Sequence, residues 1–465
     1  MIMRLRKIFP FFLLGLMTIS FWSCKDDEDI LPEVEPGSNA AINRWISEVM
    51  EEAYYWLENL GTPISENSDP EDYFESLLFR PTDRFSVIYP DYQELLNSLN
   101  GVTLEAGYEF ILFRESQNSD NVIAEITYIK KNSPAATAGL RRGDIIRTIN
   151  GQQMTVTNFR EVIGAISSQH TITYLRYNEG SQAFENQGQL QLTPVQLAEN
   201  PNFLDTIYTI NNQKIGYVVY HFFAPGPGNN SNAYDQETDA IFAKFKAEGI
   251  NHLIVDFRYN GGGFVSSAIN LASLIAPGVS TNDIFLKRKF NSFLSRFDEF
   301  KNVNAKFLSK SQNLGNTLSG NRVYVLTSSR TASASELIIN GLKPYMDVFI
   351  IGDVTTGKNV GSVPIEDEDN PQNSYGLLPI VFQSFNSQDK SDYSNGFTPN
   401  ITAKETAERL RQFGDVNEQL LRTAITQITG TPPSGRFEKL DRMDLGSTLD
   451  RKVRSGTMVE NFEIK

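Results

Sequence analysis

The chain of 465 residues is longer than one ordinary hydrophobic core supports, so two or three domains are expected. Hydrophobic residues make up 40% of it and charged residues 21%, which excludes a chain that is disordered throughout. The formal net charge of -14 argues against nucleic acid or an anionic membrane surface as a partner and leaves peptides and small molecules open.

The first residues predict export from the cytoplasm. Three basic residues precede an apolar run over residues 8–21, which is too short to span a bilayer comfortably. Cys24 follows this run and is the only cysteine, which excludes a disulfide. The arrangement resembles a bacterial lipoprotein signal, which implies a signal peptide over residues 1–23 and a lipid on Cys24. A plain secretory signal with an incidental cysteine is the alternative.

Residues 24–38 are predicted to form a solvated tether. They contain the acidic run KDDEDI, followed by polar sequence with proline and glycine. The acidic run also resembles the surface-export signal of Bacteroidetes lipoproteins. The resemblance implies an outer-membrane lipoprotein of the cell envelope, either periplasmic or surface-exposed.

A small helical domain is predicted over residues 39–100. Apolar residues recur at helical spacing from Ala40 to about Leu60 and give one apolar stripe along a helix. Two shorter helices are expected over residues 72–78 and 92–99. The aromatic run YYW at residues 54–56 is interpreted as core packing rather than as a ligand site.

Residues 101–196 are predicted to form a peptide-binding domain. The stretch SPAATAGLRRGDIIRTING at residues 133–151 predicts a turn, a short helix, a strand and an Asn-Gly turn. It resembles the signature of bacterial PDZ domains, which bind an extended peptide by strand addition. The resemblance implies that a loop holds the peptide's terminal carboxylate, and its residues would be Gly107, Tyr108, Glu109 and Phe110. In the alternative, these four residues only shape the domain.

Residues 197–430 are predicted to form an α/β domain with active-site loops at strand ends. Apolar runs of the buried-strand type occur at residues 214–220, 252–258, 322–328 and 347–352. Helical stretches separate them at residues 237–247, 266–275 and 334–342. The polar segment over residues 281–315 shows no clear core face and is expected to form a lid or an extra helical hairpin. Residues 431–465 are expected to form a tail that is only partly ordered.

The stretch GDVTTGKNV at residues 352–360 comes close to a nucleotide-binding loop. Asn359 stands where a serine or threonine would hold magnesium, and the residues after Lys358 do not open a helix, so that interpretation is weak. The three histidines lie outside any recognisable catalytic context, so a Ser-His-Asp triad is not expected. No metal site and no cofactor are predicted.

The stretch SSRTASASELIINGL at residues 328–342 places Ser333 at the start of a helix predicted to begin near Ala334. Free backbone N–H groups and the positive end of a helix dipole suit both a nucleophile and the anion it produces. The stretch resembles the SASE element of the carboxyl-terminal processing proteases, also called tail-specific proteases. The resemblance implies that Ser333 is the nucleophile and that Lys358 is the base. Ser335 is a rival nucleophile.

A Ser-Lys dyad requires a neutral lysine, so the pKa of Lys358 has to fall from about 10.4 to about 7, which burial can achieve. The stretch VDFRYNGGGFV at residues 255–265 resembles the glycine loop of the same family, which implies that the N–H groups of Gly262 and Ala334 form the oxyanion hole. The family carries a glutamine that orients the lysine, whereas this chain has Ser362 there. Glu336 is the alternative for that role.

The resemblance covers roughly residues 100–430 and implies a ClpP/crotonase-like α/β core, with a PDZ domain and a small helical N-terminal domain. It also implies a serine endopeptidase that cleaves polypeptide tails and needs no cofactor. The net charge argues against nucleic acid as a partner, and the lipoprotein resemblance implies attachment to a membrane through Cys24. The sequence does not define the oligomeric state. The alternative is a catalytically impaired homologue that binds peptides without cleaving them.

Overall fold

The computed structural model describes residues 35–228, 231–405, 409–433 and 442–460. The predicted signal peptide, Cys24 and most of the predicted tether lie outside these ranges. Within them, every helix is too short or too polar to cross a membrane.

The first region is helical, as predicted, and contains one short strand. Side chains of Ser38, Asp69 and Asp91 accept hydrogen bonds from backbone N–H groups and so begin its three helices. The first helix ends earlier than the predicted Leu60, and a 3-10 turn follows it at Leu57–Asn59. The elements are α1 Asn39–Ala53, α2 Pro70–Leu77, β1 Val87–Tyr89 and α3 Tyr92–Leu99.

The second region is dominated by antiparallel strands that pack around their own apolar core. This core is separate from the larger one beneath the α/β region. The elements are β2 Val102–Glu105, β3 Tyr108–Arg114, β4 Val122–Ile129, α4 Pro134–Thr137, β5 Ile145–Ile149, β6 Gln152–Gln153, α5 Phe159–Gly164, β7 His170–Asn178, β8 Ala183–Leu192 and β9 Val195–Ala198.

The third region alternates strands and helices. Its first part contains β10 Asn202–Ile210, β11 Gln213–Tyr220, α6 Ala233–Ala247, β12 His252–Asp256, β13 Gly262–Phe264, α7 Val265–Ile275, β14 Ile284–Phe290, β15 Asn304–Lys306, β16 Arg322–Thr327 and α8 Ala334–Leu342. Its second part contains β17 Asp347–Gly352, β18 Val360–Ser362, β19 Ile365–Glu366, β20 Gly376–Leu378, β21 Ile380–Phe385, β22 Ile401–Thr402 and α9 Gln419–Thr429.

The central sheet of this region has the strand order β10-β11-β12-β16-β17-β22. All its neighbours pair in parallel except β10 and β11. Alternate side chains point to opposite faces, so Val325 packs with α6, α7 and α8 on one face while Leu326 packs with α9 on the other. The predicted α/β architecture is confirmed, and Ser333 lies at the end of the sheet where the parallel strands finish.

The segment over residues 281–315 is neither a lid nor a helical hairpin, so that expectation is wrong. It contributes β14 and β15 to a second sheet of order β13-β24-β18-β21-β14-β15, hereafter the side sheet, in which β24 spans Thr457–Val459. Seven of its aromatic and aliphatic side chains lie in the main core, namely Phe285, Leu286, Phe290, Leu294, Phe300, Phe307 and Leu314. The spacing of these residues matches the period of neither a helix nor a strand over the whole segment, so the sequence did not reveal which side chains are buried.

The last described residues, 442–460, are hereafter the return segment. They were expected in a partly ordered tail, yet they are packed against the rest of the protein and form β23 Asp444–Ser447 and β24. Strand β23 extends the sheet of the second region beside β3, and β24 lies between β13 and β18. Both strands are too short to show a periodic pattern of apolar residues, so the sequence did not predict them.

Candidate active site

Ser333 is fully buried in the turn that leads from β16 to α8. Its φ of 61° is a left-handed value that costs energy for a residue with a Cβ. The turn is tied to the loop after β12, since Thr331 Oγ1 donates to the carbonyl of Phe257 at 2.8 Å and the Ala332 N–H donates to the carbonyl of Asn260 at 3.1 Å. These bonds hold a strained serine at the first position before a helix.

Lys358 is fully buried in the connection between β17 and β18. Its Nζ donates a hydrogen bond to the carbonyl of Gly456 and lies 4.7 Å from the centre of the Phe85 ring. Burial lowers the pKa of Lys358 to about 7, and the carboxylates of Asp83 and Glu336 oppose part of that effect. The amine is therefore close to half neutral near pH 7.

Glu336 connects the two predicted members of the dyad through their main chains. Its carboxylate accepts hydrogen bonds from the N–H groups of Ser333, Gly357 and Lys358 at 2.7–2.8 Å and from Thr355 Oγ1 at 2.5 Å. Burial raises the pKa of Glu336 above its usual value, and these bonds offset only part of that rise. Because all four partners donate, the arrangement fits the ionised carboxylate. Glu336 thus fixes where the two residues sit, and it holds the backbone of Lys358 rather than its amine.

The remaining predicted site residues surround Ser333. A Cβ built on Gly262 would lie 2.8 Å from Ser333 Cβ, so only glycine allows this approach. The Gly262 N–H donates to Asn260 Oδ1 at 2.9 Å, whereas no described residue accepts the N–H of Ala334. Ser362 lies in β18, and neither its Oγ nor that of Ser333 has a hydrogen-bond partner among the described residues.

Only Gly107 of the predicted carboxylate loop precedes β3, because Tyr108, Glu109 and Phe110 are the first residues of that strand and their side chains are buried. The Tyr108 hydroxyl and His170 Nε2 are 2.8 Å apart, and Glu109 pairs with Lys130 at 3.0 Å. These residues therefore expose their backbone, and not their side chains, at the edge of the sheet. Strand β23 pairs with β3 at this edge.

Three residues near the amine of Lys358 were not singled out from the sequence. Asp83 and Phe85 come from the first region and Gly456 from the return segment. Each is distant along the chain and no local pattern marks it. Ser335, the rival nucleophile, donates its hydroxyl to the carbonyl of Asn260 at 3.1 Å. The residues with determined positions include no cluster of three or more His, Cys, Asp or Glu that could hold a metal ion.

Three family models match this chain. The model of peptidase family S41 matches residues 214–403, and that of the peptidase S41 N-terminal domain matches residues 41–87. A PDZ domain model matches residues 125–176.

Curated relatives include a protein of Staphylococcus saprophyticus named "Probable CtpA-like serine protease", which is 24% identical over 297 residues, or 63% of this chain and 53% of the relative. The chloroplastic C-terminal processing peptidase of Tetradesmus obliquus is 25% identical over 237 residues, or 49% of this chain and 46% of the relative. The chain therefore spans about half the length of the curated relatives it matches.

Among solved structures, a Bacteroides fragilis protein assigned to the S41 proteases superposes with a TM-score of 0.70 at 28% identity. The match covers 83% of this chain and 97% of the other. Along the chain the three models follow the order S41 N-terminal domain, PDZ domain and S41 peptidase, and the superposition extends over most of both chains. The chain is a member of peptidase family S41.

Proposed function

We propose that this protein is a serine endopeptidase of the carboxyl-terminal processing type, which cleaves polypeptide tails with Ser333 and Lys358. The observation that carries the proposal is the geometry around Glu336. One carboxylate holds the main chains of both residues, and the lysine so held is buried with a pKa of about 7. A neutral amine can take the proton of a serine at a helix start. Lys358 Nζ is bonded to Gly456 and not to Ser333 Oγ in the structure, so the proposed reaction requires the amine to leave that carbonyl first.

In the proposed reaction, Ser333 Oγ attacks the carbonyl carbon of the scissile peptide bond while Lys358 Nζ takes the hydroxyl proton. The oxyanion is stabilised by the N–H of Ala334 and by that of Gly262, which first has to leave Asn260 Oδ1. The ammonium of Lys358 then gives its proton to the leaving amine. Water hydrolyses the resulting ester, again with Lys358 as base, and restores the free serine.

The test is cleavage of an unstructured polypeptide by the full-length chain in detergent. We expect Ser333→Ala to abolish cleavage and labelling by a fluorophosphonate probe, and Lys358→Ala to reduce cleavage by about 10²–10⁴-fold, the usual contribution of a general base. Lys358→Arg should not rescue it, because a guanidinium stays protonated. A matched control is Ser387→Ala with Lys390→Ala, a serine and lysine at i, i+3 outside this site.

Equal cleavage by wild type and Ser333→Ala would refute the proposed mechanism. Peptide binding without cleavage or labelling would instead support the impaired homologue. The proposal further includes a lipid on Cys24 and a location in the cell envelope. Incorporation of labelled palmitate by wild type and its loss in Cys24→Ala would test the lipid. Exposure of the protein to added protease on intact cells would distinguish the surface from the periplasm.

A further inference from the structure

The proposed nucleophile and base are both completely shielded from solvent. The return segment contacts the amine of Lys358 through Gly456 and packs against the glycine loop beside Ser333. A Cβ built on Gly262 would lie 2.1 Å from the carbonyl oxygen of Thr457, and one built on Gly261 would lie 3.0 Å from Ser455 Cα. A polypeptide substrate cannot reach Ser333 in this arrangement. The question is whether this cover is a permanent part of the fold or an occupant of the substrate site.

The cover is bound as an extended peptide would be. Strand β24 pairs in parallel with β13, and at Val459 it also pairs with β18, so it fills the space between two strands that flank the site. The Thr457 N–H donates to the carbonyl of Gly261 at 3.2 Å, and the Glu460 N–H donates to the carbonyl of Ser362 at 3.0 Å. Main-chain pairing of this kind accepts many sequences, as strand addition generally does.

The same segment also occupies the peptide-binding edge of the PDZ domain. Strand β23 pairs antiparallel with β3, with Asp444 opposite Phe113 and Ser447 opposite Ile111. The Phe110 N–H donates to Thr448 Oγ1 at 3.0 Å. One continuous stretch of chain therefore runs from the PDZ edge to the proposed catalytic residues, which is the path that a recruited tail has to follow.

The occupant is held in a geometry that does not suit cleavage. Lys358 Nζ is bonded to the carbonyl of Gly456, while Ser333 Oγ has no partner among the described residues. The Gly262 N–H is engaged with Asn260 instead of a substrate carbonyl. The segment thus engages the proposed base without positioning a carbonyl between Ser333 and both oxyanion donors, as an inhibitor does.

Charge decides which sequences fit this path. Lys452 and Arg454 of the return segment enter a buried cluster in which cations and carboxylates are equal in number. Its members are Lys130, Lys452, Arg454, Glu105, Glu109 and Glu199. Without the return segment, Lys130 alone would face three carboxylates, of which Glu109 and Glu199 are buried and Glu105 is largely buried. Such an excess is costly, so the vacated cluster favours any strand that supplies two cations two residues apart.

Resting on the function proposed above, we infer that residues 442–460 are a built-in pseudosubstrate. They occupy the polypeptide track from the PDZ edge to Ser333, and a substrate enters by replacing them. The acidic cluster selects polypeptide segments with Lys or Arg at positions i and i+2 to take the places of Lys452 and Arg454.

The test compares the full-length wild type with Lys452→Glu/Arg454→Glu. Fluorophosphonate labelling of Ser333 and cleavage of an unstructured polypeptide should both become about tenfold faster or more in the variant, because its return segment is repelled from the cluster. Lys244→Glu/Lys301→Glu changes the charge by the same amount at two exposed ion pairs and should behave as wild type. Equal rates for all three proteins would overturn the inference.

A peptide in trans shows whether the site is still formed in the variant. The synthetic peptide of residues 442–460 should inhibit Lys452→Glu/Arg454→Glu, whereas the same peptide carrying both glutamates should not. Equal inhibition by both peptides, or by neither, would overturn the role of the cluster.

Hydrogen exchange on the wild type keeps the inference testable even if the variant does not fold. The amides of Thr457–Val459 should exchange at least about a hundredfold faster than those of β16. The reason is that their hydrogen bonds break whenever the return segment leaves its place, whereas β16 stays folded. Exchange as slow as in β16 would mean a permanent strand. If neither wild type nor the variants show any cleavage that depends on Ser333, the proposed peptidase function fails together with the inference. If such cleavage occurs but all rates are equal, only the inference about the return segment fails.

Discussion

Burying Lys358 as a neutral amine makes stability depend on pH in a way that Lys358→Met should remove. Among the described residues, Nζ has one hydrogen-bond acceptor, Gly456, and it faces the ring of Phe85. The carboxylates of Asp83 and Glu336 favour the ammonium, but burial outweighs them and lowers the pKa from 10.5 to about 7. That difference corresponds to about 5 kcal/mol in favour of the neutral form.

The sign follows from proton binding. Between pH 7 and pH 10.5 the unfolded chain carries a proton on Lys358 that the folded chain lacks, so the free energy of unfolding rises with pH in this range. Below pH 7 both states are protonated and the folded state bears the full cost. At pH 6, the free energy of unfolding of Lys358→Met should therefore exceed that of wild type by about 5 kcal/mol. At pH 9, this gap between the two proteins should be smaller by about 3 kcal/mol.

The assay is denaturant unfolding of both proteins at pH 6 and pH 9, followed by a probe in the α/β region. Ser333→Ala serves as the control: it keeps Lys358, so its stability should change with pH as in wild type, without self-digestion. Cleavage by wild type should rise with pH and level off above about pH 7, as the amine becomes neutral. A stability gap between wild type and Lys358→Met that is the same at both pH values would refute the reasoning.

Three further substitutions test the surrounding structure. Glu336→Gln should reduce cleavage sharply and lower the free energy of unfolding by about 3 kcal/mol, because an amide cannot accept from four donors; denaturant unfolding and peptide cleavage measure this. Gly262→Ala should abolish cleavage and lower the melting temperature, because its φ is 115° and the added methyl would lie 2.8 Å from Ser333 Cβ; a normal melting curve would contradict this. Arg258→Ala should lower the free energy of unfolding by about 3–5 kcal/mol, since it leaves both Asp256 and Glu418 buried without this cation; partial recovery in Arg258→Ala/Glu418→Gln would support that cause.

Local patterns predicted the parts of the fold that are locally determined. The predicted helix over residues 334–342 agrees with α8, because small residues after a buried strand and an apolar run with helical spacing are both visible in the sequence. The strands around residues 252–258 and 347–352 were predicted for the same reason, since buried parallel strands are continuous apolar runs.

The parts that depend on contacts between distant residues were not predictable in this way. Strand β24 is only three residues long, and it forms because β13 and β18 pair with it on either side. Asp83 approaches Lys358 only because the first region packs beside the α/β region. The burial of Lys358 was expected from the chemistry that the dyad requires. Its hydrogen-bond acceptor Gly456, by contrast, lies in a segment that had been assigned to a partly ordered tail.

The four bonds to Glu336 also explain why the interval between Ser333 and Lys358 in the chain need not itself matter. The main-chain N–H groups of Ser333 and Lys358 both donate to the carboxylate of Glu336. The distance between the two backbones is therefore set by a side chain of α8 rather than by the length of the loop that follows β17. Insertions in that loop, away from the bonded residues, would lengthen the chain without moving the pair. The main chains of the two residues and the Glu336 carboxylate thus form one bonded unit at the start of α8, and the sequence around that unit is free to vary.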